Sequence, residues 1–100
     1  MWRFDKEWKG LRREVPWVRR LPSDYIREHV CLTLQPFDAP PGPDQVLRLV
    51  DRLGSEEMLL FASDYPHWHD DPPEPALPDS LAPGLARKIL YDNAAALYRL

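Results

Sequence analysis

The sequence predicts an α/β fold, because two short apolar segments with strand character are separated by an amphipathic helix. The first segment covers residues 29–36 and the second covers residues 58–62, and neither alternates cleanly between apolar and polar side chains. Continuous apolar runs of this length are typical of strands that are covered on both faces. A helical crossover between two such strands predicts a parallel βαβ unit.

Length and composition indicate one domain or less. The chain has 100 residues, of which 44% are hydrophobic and 29% are charged, and these values are ordinary for a folded protein. Thirteen basic and sixteen acidic residues give a formal net charge of −3, which argues against binding of nucleic acid through a basic surface. The single cysteine, Cys31, excludes an internal disulfide. Since the sequence shows no membrane span and no signal peptide, we expect a cytoplasmic chain without a membrane partner.

Helices are predicted before, between and after the two strands. Apolar residues with helical spacing, at Phe4, Trp8 and Leu11, predict a helix over residues 3–14, and a second helix is expected over residues 22–29. The crossover helix covers residues 43–54 and the last helix covers residues 83–100. In these two helices we expect the following apolar residues to be buried: Val46, Leu47, Leu49, Val50, Leu53, Leu85, Ile89, Leu90, Ala94, Leu97 and Tyr98.

An aspartate follows the second predicted strand, at the place where α/β folds collect ligands and catalytic groups. This residue is Asp64, and a carboxylate in that position can bind a divalent cation or accept a proton. The same side chain can also cap the following turn by accepting hydrogen bonds from nearby backbone amides. Position alone leaves both interpretations open.

Two histidines, His67 and His69, form a His-x-His pair within a polar, proline-rich stretch that extends to about residue 80. Such a pair can place two imidazoles on one side of an extended segment. A zinc site needs at least three converging ligands, and the nearby sequence offers only aspartates besides these histidines. We therefore interpret the pair as solvated loop histidines. An autonomous metal site over residues 64–71 is kept as a further hypothesis.

Two motifs in the second half of the chain carry a family resemblance. The first is Leu60-Phe61-Ala62-Ser63-Asp64-Tyr65-Pro66-His67, and the second is Lys88-Ile89-Leu90-Tyr91-Asp92-Asn93-Ala94-Ala95-Ala96-Leu97-Tyr98. They resemble the last-strand motif and the closing helix of the amidohydrolase family typified by aminocarboxymuconate-semialdehyde decarboxylase. The resemblance extends over about residues 4–100.

The resemblance implies a (β/α)8 TIM barrel, of which this chain would form the C-terminal fragment with the last two parallel strands and their helices. A closed barrel of this kind takes about 250 residues, so we expect no complete independent domain. The resemblance also implies that Asp64 is a catalytic residue and a metal ligand, and we place His67 at the pocket mouth. Members of the family are hydrolases, lactonases and non-oxidative decarboxylases of small carboxylic acids, and they commonly use zinc or manganese.

The missing barrel strands limit what the isolated chain can do. One aspartate cannot hold a catalytic zinc, so we expect the metal and the small carboxylic acid substrate to bind only in the intact enzyme, and the isolated chain to be inactive. The alternative hypothesis is a small non-enzymatic α/β module that binds a partner or a second copy through exposed strand edges. In either case we expect self-association or pairing with the missing part of the barrel.

Overall fold

Residues 1–35, 39–63 and 77–100 are described in the computed structural model of the chain. They divide into two units, residues 1–30 and residues 31–100. The first unit contains α1 (Trp2–Leu11) and α2 (Pro22–His29). The second contains β1 (Leu32–Thr33), α3 (Pro43–Leu53), β2 (Leu59–Leu60), α4 (Pro83–Arg87), a π-helical segment (Lys88–Asp92) and α5 (Asn93–Tyr98).

A carboxylate of α1 caps the first turn of α2 in the first unit. The backbone N–H of Ser23 donates to Asp5 Oδ1 at 2.8 Å, which satisfies an amide that has no partner within its own helix. Ser23 is buried, and its Oγ accepts a hydrogen bond from Arg27 Nη1 at 3.1 Å. The indole N–H of Trp8 donates to the carbonyl oxygen of Val18 at 3.2 Å. These contacts hold the two helices and their connection together.

The first helix is shorter and more exposed than its apolar spacing predicts. It ends at Leu11 instead of residue 14, and none of its residues is buried. Of the predicted apolar stripe, Phe4 and Leu11 are exposed and Trp8 is half-buried. A pair of short helices offers too little apolar surface to cover such a stripe completely. The helical spacing of the apolar residues therefore predicted the helix but did not determine how far its stripe is buried.

The two strands of the second unit pair in parallel, which confirms the predicted βαβ unit. Leu32 lies opposite Leu59 and Thr33 lies opposite Leu60. The N–H of Leu32 donates to the carbonyl oxygen of Met58 at 2.7 Å. The strands are much shorter than the apolar runs from which they were predicted, since the regular ladder covers two residues on each side.

The two strands differ in their burial. Both residues of β2 are buried, and Met58 before them is 1% exposed. The prediction of a covered second strand is therefore confirmed for residues 58–60, whereas Phe61, which also belongs to the predicted strand, is exposed. Both residues of β1, Leu32 and Thr33, are exposed, and the prediction that the first strand is covered on both faces is wrong. Within the described part of the chain, β1 pairs with β2 alone. Its apolar side chains therefore lie at a sheet edge.

The crossover helix α3 follows its sequence signals closely. It begins with Pro43 in its first turn and ends at Gly54, which has a φ of 66° in the left-handed region that favours glycine. Of its predicted apolar side only Leu49 is exposed. The helix contributes to a core whose buried members are Leu34, Val50, Leu59, Leu81 and Ile89.

The last helix is not the continuous α-helix that the sequence predicts. The π-helical segment interrupts it, and each π turn holds one residue more than the corresponding α turn, so the buried side rotates. Ile89 is fully buried, as predicted, whereas Leu90, Leu97 and Tyr98 are exposed and their predicted burial is wrong. The side that faces the sheet beyond Ile89 carries Asn93, which is buried.

Replacing Ile89 with alanine tests the role of this residue in the core. Ile89 is fully buried, so Ile89→Ala should lower the free energy of unfolding by about 3 kcal/mol through lost burial and a residual cavity. Leu90→Ala is the matched control, because Leu90 is 43% exposed in the same helix and should cost less than about 1 kcal/mol. Urea unfolding followed by circular dichroism measures both. Equal losses would contradict this description of the core.

Acid should weaken the contact between α1 and α2. The hydrogen bond from the Ser23 N–H lowers the pKa of Asp5 from its usual value of 3.8. Because the folded pKa lies below the unfolded one, the stabilisation is complete above about pH 3.8 and is lost as the pH falls through the folded pKa. The Ser23 amide resonance in NMR spectra should therefore shift with a midpoint below 3.8.

Two variants separate this effect from general acid unfolding. Asp5→Asn keeps an oxygen acceptor but cannot ionise, so the Ser23 resonance should lose its titration. Glu7→Gln, in the same helix, should keep it. A Ser23 titration that persists in Asp5→Asn would show that another group is responsible.

Candidate functional site

The carboxyl end of β2 is the place where the sequence predicts a site. Because β1 and β2 are parallel, their carboxyl ends lie at the same end of the sheet, where α/β proteins bind ligands. The described residues reach Phe61, Ala62 and Ser63 on this side, and Phe61 and Ser63 are exposed. Asp64 and His67 lie outside the described residues, as does the rest of the stretch up to residue 76. Their roles stay predictions.

A buried asparagine connects the terminal helix to β2. Asn93 Nδ2 donates to the carbonyl oxygen of Glu56 at 2.8 Å and to that of Leu59 at 2.9 Å. Asn93 is 8% exposed. Its bond to Leu59 is buried and its bond to Glu56 is partly buried, and an unpaired carbonyl away from water is costly. The side chain of Asn93 thus connects the last helix of the chain to β2 and to the residues that precede β2.

A backbone hydrogen bond holds the strand at its carboxyl end. The N–H of Phe61 donates to the carbonyl oxygen of Ile89 at 2.9 Å. Phe61 is three positions before Asp64 in the sequence. The terminal helix therefore contacts β2 on both sides of Leu60 and fixes the backbone that leads toward the predicted site.

An ion pair at the surface supports the same junction. Lys88 Nζ donates to Glu56 Oε2, and this hydrogen bond, with the charge of Glu56, raises the pKa of Lys88. The two side chains are 40% and 63% exposed. Because water screens exposed ion pairs, they contribute little to stability, so the bonds of Asn93 are the stronger part of the connection.

The described residues do not by themselves form a metal centre. No group of three or more histidine, cysteine, aspartate or glutamate side chains among them could hold a metal ion. A catalytic zinc requires about three protein ligands, so residues 1–35, 39–63 and 77–100 do not fit such a metal on their own. Across the same residues, no helix is long and apolar enough to span a bilayer.

Two features of this junction were not predicted from the sequence. Asn93 was noted only as part of a family motif, and the π-helical segment was predicted as ordinary α-helix. The available signal was the position of Asn93, a polar residue four positions after the buried Ile89 and hence on the same side of the helix. A polar side chain at such a position indicates a buried hydrogen-bonding partner.

Comparison with known proteins places the whole chain in one protein family. The model of the family described as Amidohydrolase matches residues 1–100. A comparison with curated individual proteins gives no significant match. The family match includes both units, the parallel strands with their crossover helix, and the terminal helix with Asn93. The chain therefore belongs to the amidohydrolase family.

Proposed function

We propose that the chain is the C-terminal part of a metal-dependent enzyme of the group typified by aminocarboxymuconate-semialdehyde decarboxylase. The enzyme would hydrolyse or non-oxidatively decarboxylate a small carboxylic acid. The observation that carries the proposal is the parallel βαβ unit whose buried second strand leads to Ser63-Asp64, within a chain that the amidohydrolase model matches throughout. In this proposal the chain is one segment of a TIM barrel and does not form a complete independent domain.

The arrangement of the strands supports a barrel origin. Parallel strands joined by a helix are the repeating unit of a (β/α)8 barrel, and β1, α3 and β2 form one such unit. β2 is buried as a barrel strand would be, while the exposed β1 has, within the described residues, an open edge where a preceding strand would pair. These properties are compatible with the last two strands of a barrel.

Asp64 is the residue we propose for catalysis and metal binding. It follows the buried β2 by four positions, and the carboxyl ends of barrel strands carry the catalytic groups. Members of the family generally use divalent metals. We propose zinc, with manganese as the alternative, held in the intact enzyme by Asp64 together with ligands from other strands. His67 would line the mouth of the pocket.

Supplying the absent strands tests the enzymatic proposal. The chain should show no turnover alone, and it should give zinc-dependent turnover when fused behind the first six strands of a related amidohydrolase barrel. In that fusion, Asp64→Asn should lower kcat by roughly 10²–10⁴-fold, the usual contribution of a positioned acid or base. Asp79→Asn is the matched control, since Asp79 is an exposed aspartate in the same stretch between β2 and α4.

Two results would contradict this proposal. Turnover by the isolated chain would show that the missing strands are not needed. Equal activity of the Asp64→Asn and Asp79→Asn fusions would remove Asp64 from the reaction.

The open edge of β1 favours a second candidate function, a non-enzymatic module that associates with another copy. Leu32 is 45% exposed in the edge strand, and an apolar strand with unpaired backbone groups is a template for strand addition. This candidate requires no metal. It depends only on the edge itself.

A charge placed on that edge tests this second candidate. If the chain acts through self-association, its sedimentation coefficient should rise with protein concentration, and Leu32→Lys should abolish the rise because a lysine on an edge strand disfavours pairing. Leu49→Lys is the control, because Leu49 in α3 is also 45% exposed. A concentration-independent monomer would contradict the module.

A further inference from the structure

Two backbone groups on the outer edge of β2, which faces away from β1, are already paired. In a strand, the N–H and C=O of one residue point to one edge and those of the next residue point to the other. Leu60 faces β1, since its carbonyl oxygen accepts the N–H of Leu34 at 3.0 Å. The backbone groups of Leu59 and Phe61 therefore face outward, where a further strand would bind.

The terminal helix satisfies the Leu59 carbonyl and the Phe61 N–H in the pattern of a neighbouring strand. One residue of a parallel neighbour donates its N–H to a carbonyl and accepts an N–H two residues further along the facing strand. Here Asn93 Nδ2 donates to the Leu59 carbonyl oxygen at 2.9 Å, and the Ile89 carbonyl oxygen accepts the Phe61 N–H at 2.9 Å. A side-chain amide and a helix carbonyl thus replace one residue of a strand.

The π-helical segment makes this replacement possible. In an α-helix the carbonyl of Ile89 would accept the N–H of Asn93, four residues later. Here the N–H of Asn93 donates to the carbonyl oxygen of Lys88, five residues earlier, which leaves the Ile89 carbonyl available for the strand. Insertions of this kind are frequent at functional positions.

We propose that residues 88–93 form an edge cap, a segment that imitates the next strand and blocks strand addition beside β2. The cap and an added strand are mutually exclusive. The single N–H of Phe61 can make a linear hydrogen bond to only one acceptor, either the carbonyl of Ile89 or a carbonyl of the added strand. While the cap is in place, the sheet can grow only from β1. Pairing at β2 requires Asn93 and Ile89 to leave the edge.

In a barrel the cap would act as an autoinhibitory contact; this consequence, unlike the cap itself, rests on the proposed function. Closure of a barrel pairs its last strand with its first. The incoming strand would have to displace the side-chain amide of Asn93 from Leu59 and the carbonyl of Ile89 from Phe61. The isolated chain is thereby protected from unwanted pairing at this edge until its barrel neighbour arrives.

Amide hydrogen exchange of the full 100-residue chain tests whether the cap exists. The Phe61 amide should exchange roughly tenfold or more slowly than the Thr33 amide, whose N–H faces away from β2 and has no partner among the described residues. Asn93→Asp, which keeps the shape but lacks the donor, should accelerate the exchange of Phe61 by roughly tenfold. Lys88→Gln is the control, since it removes the ion pair with Glu56 and keeps both edge bonds.

Sedimentation tests whether the cap blocks strand addition. All three chains carry Leu32→Lys so that the β1 edge is closed. Asn93→Asp should then produce concentration-dependent association that the parent and Lys88→Gln do not show. Rapid exchange of Phe61 without association would overturn the blocking role. Should Asn93→Asp unfold the chain, the comparison of Phe61 with Thr33 in the unmodified chain still decides, because equal exchange rates would overturn the cap. An inactive barrel fusion would count against the enzyme alone.

Discussion

The side-chain amide of Asn93 holds the terminal helix on β2 through two hydrogen bonds. An unpaired buried carbonyl costs about 1–3 kcal/mol, so this amide allows the apolar contacts of Ile89 to form without an unsatisfied group at Leu59. Among the described residues, no buried side-chain nitrogen or oxygen lacks a hydrogen-bond partner. A two-stranded sheet is barely stable by itself, and the order of β1 and β2 therefore depends on the helix that this side chain anchors.

Features set by local chemistry could be predicted from the sequence, and features set by neighbours could not. Pro43 and Gly54 mark the ends of α3 because a proline suits the first turn of a helix and a glycine suits a left-handed terminus. The exposure of Leu32 depends instead on how many strands lie beside β1. The apolar residues of the segment itself do not indicate the number of neighbouring strands. The parallel pairing was predictable because a helical crossover between strands allows little else.

The π-helical segment and the candidate site also depend on residues that are far away in the sequence or on other strands, so neither could be predicted from its local sequence. The inserted residue frees the Ile89 carbonyl, which accepts a hydrogen bond from the N–H of Phe61, a residue far away in the sequence. For the site, the motif singles out Asp64, and membership in the amidohydrolase family makes a hydrolase origin the natural interpretation. The remaining metal ligands would belong to other strands, so no inspection of these residues could provide the geometry of a metal centre.

The junction between β2 and the terminal helix also bears on how such a chain can diversify. Leu59 and Asn93 are 34 positions apart, and the intervening stretch begins and ends at elements that the junction already brings together. The described hydrogen bonds of the junction join residues 56–61 to residues 88–93, so a substitution between residues 63 and 77 leaves their donors and acceptors in place. This stretch includes Asp64 and His67. The residues proposed for the site can therefore change while the groups that hold the terminal helix on β2 stay the same.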